Sequence, residues 1–386
     1  MTISSEEFAM IAQSVERLLD EIAPLTQVET WDRQDSLPRD LIRRMAEIGL
    51  CGIAIPEEFG GLGLSDRQTL AVIQQIARRS TALASLYIAS ASYAGANLLH
   101  LGSEAQKAEL LPRVVSGEVL FALGLSEPNV GADLASVETR AELDGAEIVV
   151  NGAKRWCTGA DQADFIYALV RSGPATERRR NLSFLLIPTN SPGISMTKVE
   201  TMGMRGPSTN DVQFDDVRVP CENVMGGFGM WNRAWEQLAG PTLEIEKLQP
   251  VSMAIGIAEA AVEEAWTYSQ ERAQFGARIC AHQAVRHTLA EVQTSLQACR
   301  LMLEHSLDLI ERGERSSVQT SMAKLFVADN AVEIVLKCQR ILGAYGYAHG
   351  FAMERLVRDV LVVPIFGGSS AIQKSNIANL MKLPRA

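Results

Sequence analysis

The sequence predicts an α+β protein, mostly helical, with helices first, a β unit in the middle and helices again at the end. Three observations carry this. Apolar residues recur at helical spacing through the first and last thirds of the chain. Between them lie short β-prone runs separated by turn residues. At 386 residues the chain exceeds the roughly 250–300 at which one hydrophobic core stops growing, so more than one unit is required. The change in texture sets an N-terminal helical domain over 1–118, a middle antiparallel β domain over 119–234 and a C-terminal helical bundle over 235–386.

In chain order, EEFAMIAQSVERLLDEIAPL has one apolar face and stops near Pro24. PRDLIRRMAEIGL repeats the pattern, with Pro38 suited to a first turn. GIAIPEEFGGLGLS is a Pro/Gly-punctuated turn. Further helical stretches follow, the last being SEAQKAELLPRVVSG with Ser103 as its N-cap. In AEIVVNGAKRWCTG, Asn151-Gly152 sits between β-prone flanks and predicts a hairpin turn. DFIYALVR, LSFLLIP and VQFDDVRVP read as strands. From about Trp235 a long helical stretch runs to ERAQFG, interrupted at Pro250. Two long helices are expected over 281–312 and 316–342, and then a loop, PIFGGSSAIQK, with a terminal helix.

Composition narrows the function. A net charge of −10 argues against a nucleic-acid surface, which needs a concentrated basic face. The one arginine run, Arg178–Arg180, reads as a solvated hairpin loop. Six cysteines are scattered without a CxxC pair, which suits buried free thiols in a reducing compartment. The five histidines show no HxxxH or HExxH spacing, so no metal site is expected. MTISSEEFAM lacks the cationic and apolar regions of a signal peptide, and no membrane span is expected. A cytoplasmic location is the default expectation.

Three stretches carry possible chemistry. LGLSEPNVGADLAS offers Ser126 and exposed backbone where helix gives way to strand, although a plain glycine turn reads the same. RWCTG places Trp156 and Thr158 two apart, on one face of a strand. Such a pair can stack on a flat ring and hydrogen-bond its rim; a core tryptophan is the ordinary alternative. ERAQFGARICAHQ gathers Arg272, Gln274, Phe275 and Gln283 about a helix end, suited to a diphosphate and a stacked base. Neither a dinucleotide GxGxxG nor a phosphate-binding GxxxxGK[ST] occurs.

Together with IPEEFGGLGLS and YGYAHGFAMERLVRD, the stretches SEPNVGAD, WCT and ERAQFG resemble the acyl-CoA dehydrogenase family, almost end to end. The resemblance implies a four-helix bundle at the C-terminus and FAD as cofactor. By position, Leu123, Leu125 and Ser126 would line the flavin, with Trp156 and Thr158 beside its ring. Arg272, Gln274, Phe275 and Gln283, with Arg340 and Gly343, would reach the FAD of a neighbouring subunit in a homodimer or homotetramer. Arg340 and Ala344 depart from the usual glutamine and glycine there. Ser369 and Ala371 would also touch cofactor. An electron-transfer flavoprotein or similar acceptor would take the electrons.

PIFGGSSAIQK aligns with the loop that carries the catalytic glutamate in many members, and this chain has Gly367 there. Isovaleryl- and long-chain-type members are similar to it in placing the base on the first long bundle helix. Counting back from Arg272, that position is Glu246. Read alone, Glu246 is a surface helix residue. Pro250 leaves the Glu246 carbonyl without its helical donor, which predicts a kink there. Glu244 and Glu246 should face opposite ways, one solvated and one buried. In the mechanism the resemblance implies, Glu246 takes the α-proton of an acyl thioester and the flavin takes the β-hydride. Backbone N–H groups of Gly367 and Gly368 polarise the carbonyl. Ala132 stands where many members have a serine, and Lys247 where they have arginine, which suggests an unusual acyl group or carrier. A short-chain acyl-CoA, a carrier-protein-bound group and an enoyl-CoA reductase reaction all stay open. So do a lyase reaction and a non-catalytic flavoprotein.

Overall fold

The computed structural model describes residues 5–240 and 242–384. The first unit is helical: α1 (Ser5–Ile22), α2 (Leu25–Gln34), α3 (Asp40–Ala46), α4 (Asp66–Arg79), α5 (Thr81–Tyr87), α6 (Gly95–Leu101) and α7 (Glu104–Val115). Ser103 caps α7 as expected, in a reciprocal capping box with Gln106. A π-helical turn, Ile88–Ala94, joins α5 and α6 into one rod, Thr81–Leu101. By length and composition this rod could cross a membrane, but 78% of its most apolar window is buried inside the protein. It is a core helix, and its π turn, a feature common at functional sites, lies beside the candidate site.

The middle unit is a seven-stranded sheet of β1 (Phe121–Gly124), β2 (Arg140–Asp144), β3 (Glu147–Thr158), β4 (Phe165–Arg171), β5 (Leu182–Pro188), β6 (Ile194–Val199) and β7 (Thr209–Pro220). The order is β1-β4-β2-β3-β7-β6, with β5 pairing β4. Antiparallel pairing dominates, but β1 runs parallel to β4. Both faces of β4 and β5 are buried, which is why their sequences read as unbroken apolar runs. Tyr167, Leu169, Phe184 and Leu186 join a core with Leu110, Leu111 and Val114 of α7. Ile166, Val170, Leu185 and Ile187 close on Val212, Phe214 and Val217 of β7. The Arg178–Arg180 run is exposed in the β4–β5 connection.

Two expectations are corrected. Asn151-Gly152 is not a hairpin turn: β3 runs straight through it, and the turn from β2 falls at Gly145. At Gly152 the pairing with β7 shifts register, φ is 141°, and a Cβ would sit 2.7 Å from Thr139 Cα. A strand irregularity with close backbone approach demands glycine as strictly as a turn does. Nor does Pro250 break its helix. After short α8 (Ala234–Leu238), α9 (Leu243–Glu271) passes through Pro250 without interruption. The proline forfeits one backbone bond, and near-continuous burial of residues 247–258 outweighs that loss.

A small hairpin, β8 (Ala273–Gln274) and β9 (Ala277–Arg278), leads to α10 (Gln283–Glu311), α11 (Ser317–Leu342), α12 (Ala352–Val360) and α13 (Ser370–Leu380). Helices α9, α10, α11 and α13 form the bundle, with α11 against each of the other three. Helix α9 also packs on α4, so one apolar core runs from the N-terminal unit into the bundle.

Candidate active site

Helix α9 begins with two acids that diverge. Glu244 turns to α11, where the Thr320 hydroxyl bonds it and Lys247 Nζ donates at 2.9 Å. Burial pushes the Glu244 carboxyl up, but the Thr320 and Lys247 contacts outweigh it and hold the group below its usual value. The Lys247 side chain is itself buried, its ammonium engaged in this pair. Glu246 turns instead to the N-terminal rod, where Asn97 Nδ2 donates to its Oε1 at 3.0 Å. Burial pushes the Glu246 carboxyl above its usual value; Thr242, Asn97 and Tyr93 contacts and the Lys247 charge offset this only in part. The two acids do face opposite ways, but neither is solvated as expected, because α11 covers Glu244. A half-buried carboxylate with a raised pKa and, among the described residues, no ion-pair partner is what a general base requires.

The loop before α13 lies against the same helix. Gly367 has φ 61°, and a Cβ on it would sit 3.0 Å from Pro250 Cγ, one turn beyond Glu246. The amides of Gly367 and Gly368 donate to no backbone carbonyl among the described residues. The loop is nevertheless fixed. Lys324 Nζ donates to Val363 O at 2.6 Å and lies 5.3 Å from the centre of the Phe366 ring. Gln373 Nε2 donates to Gly368 O at 3.1 Å, and Ser369 caps α13 by accepting from Ile372 N at 3.4 Å. Ala371 is exposed on the first turn of α13.

A second group gathers at the edge of the sheet. Leu123, Leu125 and Ser126 are half-buried at the end of β1 and just after it. Ser126 O accepts from Arg155 N at 2.9 Å, which brings that loop beside Trp156. Trp156 is 55% exposed with φ 66°, where the β3–β7 register shifts again, so the core-tryptophan reading falls. Its ring carries the Arg155 guanidinium 4.9 Å from its centre. Thr158 pairs with Thr209, hydroxyl to hydroxyl, at 3.1 Å. Ala132 is exposed in the loop beyond.

The third group stands apart. Arg272, Gln274, Phe275, Gln283, Arg340 and Gly343 are all exposed, Phe275 at 95%. Arg272 lies 5.7 Å from the Tyr345 ring centre, which joins the β8–β9 hairpin to the end of α11. From Glu246 to Arg272 the helix rises about 39 Å at 1.5 Å per residue. Within one chain the third group therefore does not meet the first.

Sequence reasoning missed the groups that hold the site. Asn97, Tyr93 and Tyr167 belong to no motif. Lys154 is fully buried and pairs with Glu127 at 2.8 Å, while Glu127 also accepts from the amides of Glu138 and Thr139. This pair pins the SEPNVG loop to β3; burial pushes the Glu127 carboxyl up, but Lys154 holds it below its usual value. A lysine inside a strand was the available signal, because a buried charge needs a partner. Ile245 lines a cavity of about 350 Å³ between the N-terminal unit and the end of α10, to which neither Glu246 nor Asn97 contributes. Among the described residues no cluster of His, Cys, Asp and Glu could hold a metal ion, and the six cysteines are free.

Family models match all three units of the chain. Those for the N-terminal, middle and C-terminal domains of acyl-CoA dehydrogenase match residues 5–118, 122–217 and 235–382. An acyl-CoA dehydrogenase of Bacillus subtilis (strain 168) is 32% identical over 384 residues, 99% of each chain. The caffeyl-CoA reductase-Etf complex subunit CarC of Acetobacterium woodii is 32% identical over 381 residues, 98% of each chain. The crystal structure of acyl-CoA dehydrogenase from Geobacillus kaustophilus has a TM-score of 0.93 to this chain at 26% identity, covering 98% of this chain and 99% of that one. The chain belongs to the acyl-CoA dehydrogenase family, flavoprotein oxidoreductases that act on CH–CH groups.

Proposed function

We propose that this protein is an FAD-dependent α,β-dehydrogenase of an acyl-CoA thioester, with Glu246 as its general base. One observation carries the reading. The loop that lacks a carboxylate, at Gly367, packs on Pro250, one helical turn from a half-buried carboxylate, so a base on α9 borders the same space. Glycine at 367 and glutamate at 246 are complementary halves of a relocated base.

The residues present fit a flavin. Trp156 offers an exposed aromatic face with the Ser126 and Thr158 hydroxyls nearby, and Leu123 and Leu125 add apolar wall. FAD, when bound, supplies the acceptor for the substrate's β-hydride. The amides of Gly367 and Gly368, which have no backbone acceptor among the described residues, hydrogen-bond the thioester carbonyl, making the α-proton more acidic. Glu246 removes that proton; its raised pKa brings it closer to the carbon acid it must deprotonate. The exposed Arg272, Gln274, Phe275, Gln283, Arg340 and Gly343 serve the cofactor of a second copy, which makes the working protein a dimer or a tetramer.

The likeness to a reductase subunit supports a second direction. The same groups run backwards would reduce an enoyl-CoA, with Glu246 delivering the α-proton. That relative's complex with Etf also supports an electron-transfer flavoprotein as partner. Glu246→Gln should stay yellow and FAD-loaded while turnover falls by about 10²–10⁴-fold, measured with a panel of acyl-CoAs and an artificial electron acceptor. Full activity in that variant would end the assignment.

A further inference from the structure

The Glu246 carboxylate is held by one amide, and that amide has no freedom of its own. Asn97 Nδ2 donates to Glu246 Oε1 at 3.0 Å and to the Tyr93 carbonyl at 2.9 Å. Its Oδ1 accepts from the Tyr167 hydroxyl at 3.4 Å. Both amide hydrogens are therefore directed, and the oxygen is occupied. Turning the amide over would set its oxygen against a carboxylate and a carbonyl, both acceptors only. Asn97 is 3% exposed, so bulk solvent does not reach the amide.

We infer that Asn97 is the positioning residue for the Glu246 carboxylate, an amide clamp locked by the Tyr93 carbonyl and the Tyr167 hydroxyl. This rests on the reading of Glu246 as base. The clamp joins all three units: Tyr167 from β4, Asn97 from the rod, and Glu246 from α9. Tyr167 is itself rigid, stacked on Phe184 with ring centres 4.6 Å apart and 15° between planes. Asn97 follows the π turn, and its side chain takes the carbonyl of Tyr93, four residues back. A neutral donor suits the task. It fixes the carboxylate's direction and favours its charged form without the cation that would make it a weak base.

The groups facing Glu246 are few. The rod contributes the Tyr93 hydroxyl and Asn97, β4 contributes Tyr167, and its own helix contributes Lys247 and the Thr242 hydroxyl. Burial, then Glu246, raises the Tyr93 and Tyr167 hydroxyls well above their usual value, so both stay neutral across the working range. Lys247 is engaged by Glu244. Within this set, Asn97 is the one neutral amide bonded to the carboxylate.

The test is the pH profile of kcat/KM for the FAD-loaded enzyme. Removing a donor from a carboxylate raises its pKa. Asn97→Leu should therefore move the acid limb upward by about one pH unit, a roughly tenfold loss below it that is recovered at higher pH. The flavin absorbance should not change. Tyr167→Phe removes only the lock and should shift the limb in the same direction by about two- to threefold in rate. A uniform loss across pH, with the limb unmoved in both variants, would make Asn97 merely structural and overturn the inference. If Asn97→Leu does not fold, Tyr167→Phe decides alone, an unmoved limb again overturning it. Full activity in Glu246→Gln removes the base and this inference together. An inactive Glu246→Gln beside an unshifted Tyr167→Phe and Asn97→Leu removes only the clamp.

Discussion

The two ends of α9 differ in how complete they are. At its start, Glu246 is held by Asn97, backed by the Gly367 loop through Pro250, and half-buried within one chain. At its end, Arg272 closes the helix and Gln274 and Phe275 sit on a two-stranded hairpin, all three exposed to solvent. A phenylalanine at 95% exposure with φ 51° is a costly thing to display unless another surface covers it. The contrast separates two tasks. On the proposed function, the acid–base chemistry would be built inside a single chain, whereas the grip on the cofactor's distal part would need a second.

The largest effect that could break this division lies at the first end. Glu246→Gln should cut turnover by about 10²–10⁴-fold and leave FAD bound. Arg272→Ala should do the reverse. Losing the planar fork that holds a diphosphate should weaken FAD binding by about ten- to a hundredfold, while turnover per bound flavin stays near the parent value. Flavin released on ultrafiltration measures the first quantity and single-turnover reduction the second. If Arg272→Ala instead lowered turnover at full flavin occupancy, the two ends would not be separate in function.

How far each end was readable follows from where its partners lie in sequence. The helices, the caps and the strand-like runs were legible because their signals are local: a 3.6-residue period, Ser103 three residues before Gln106, apolar runs between turns. The motif residues about Trp156 and Arg272 were singled out through the family resemblance. Glu246 was proposed as base through that resemblance together with the missing carboxylate at 367. Its support was not legible, because Asn97 is 149 residues away from it and Tyr167 is 70 residues from Asn97. No local pattern encodes such contacts. Asn151-Gly152 misled for a related reason. The dipeptide reports that the backbone must enter unusual φ space, and only the partner strand decides whether that is a turn or a shift in register.

A smaller effect tests the contact that links loop to helix. Gly367→Ala places a Cβ at φ 61° and 3.0 Å from Pro250 Cγ. The loop must move by a few tenths of an ångström, which would displace the Gly367 and Gly368 amides from their proposed place at the thioester carbonyl. We expect kcat/KM to fall by about tenfold with FAD binding unchanged, since one misplaced oxyanion donor is worth at least that much. Gly313→Ala is the control, because it shares a positive φ of 67° while a Cβ there meets nothing within 4 Å. Equal losses in both variants would detach the Gly367 amides from the chemistry.

The smallest effect concerns stability, and its sign is fixed by the direction of the Glu246 shift. Burial raises this carboxyl in the folded protein above its value in the unfolded chain. The unfolded state then releases the proton more readily, so this group's contribution to stability is greatest below the unfolded pKa. It falls as pH rises through the folded pKa and stays lowest above it. Replacing the acid by a neutral isostere removes that penalty where it is largest. Glu246→Gln should melt about 1–3 °C higher than the parent at neutral pH, and the gap should close toward pH 4. Thermal melts of the FAD-loaded proteins across that range measure it. A gap that widened on acidification would mean the carboxylate is stabilised by its surroundings. Glu246 would then be a structural acid like Glu244 at the same end of the helix.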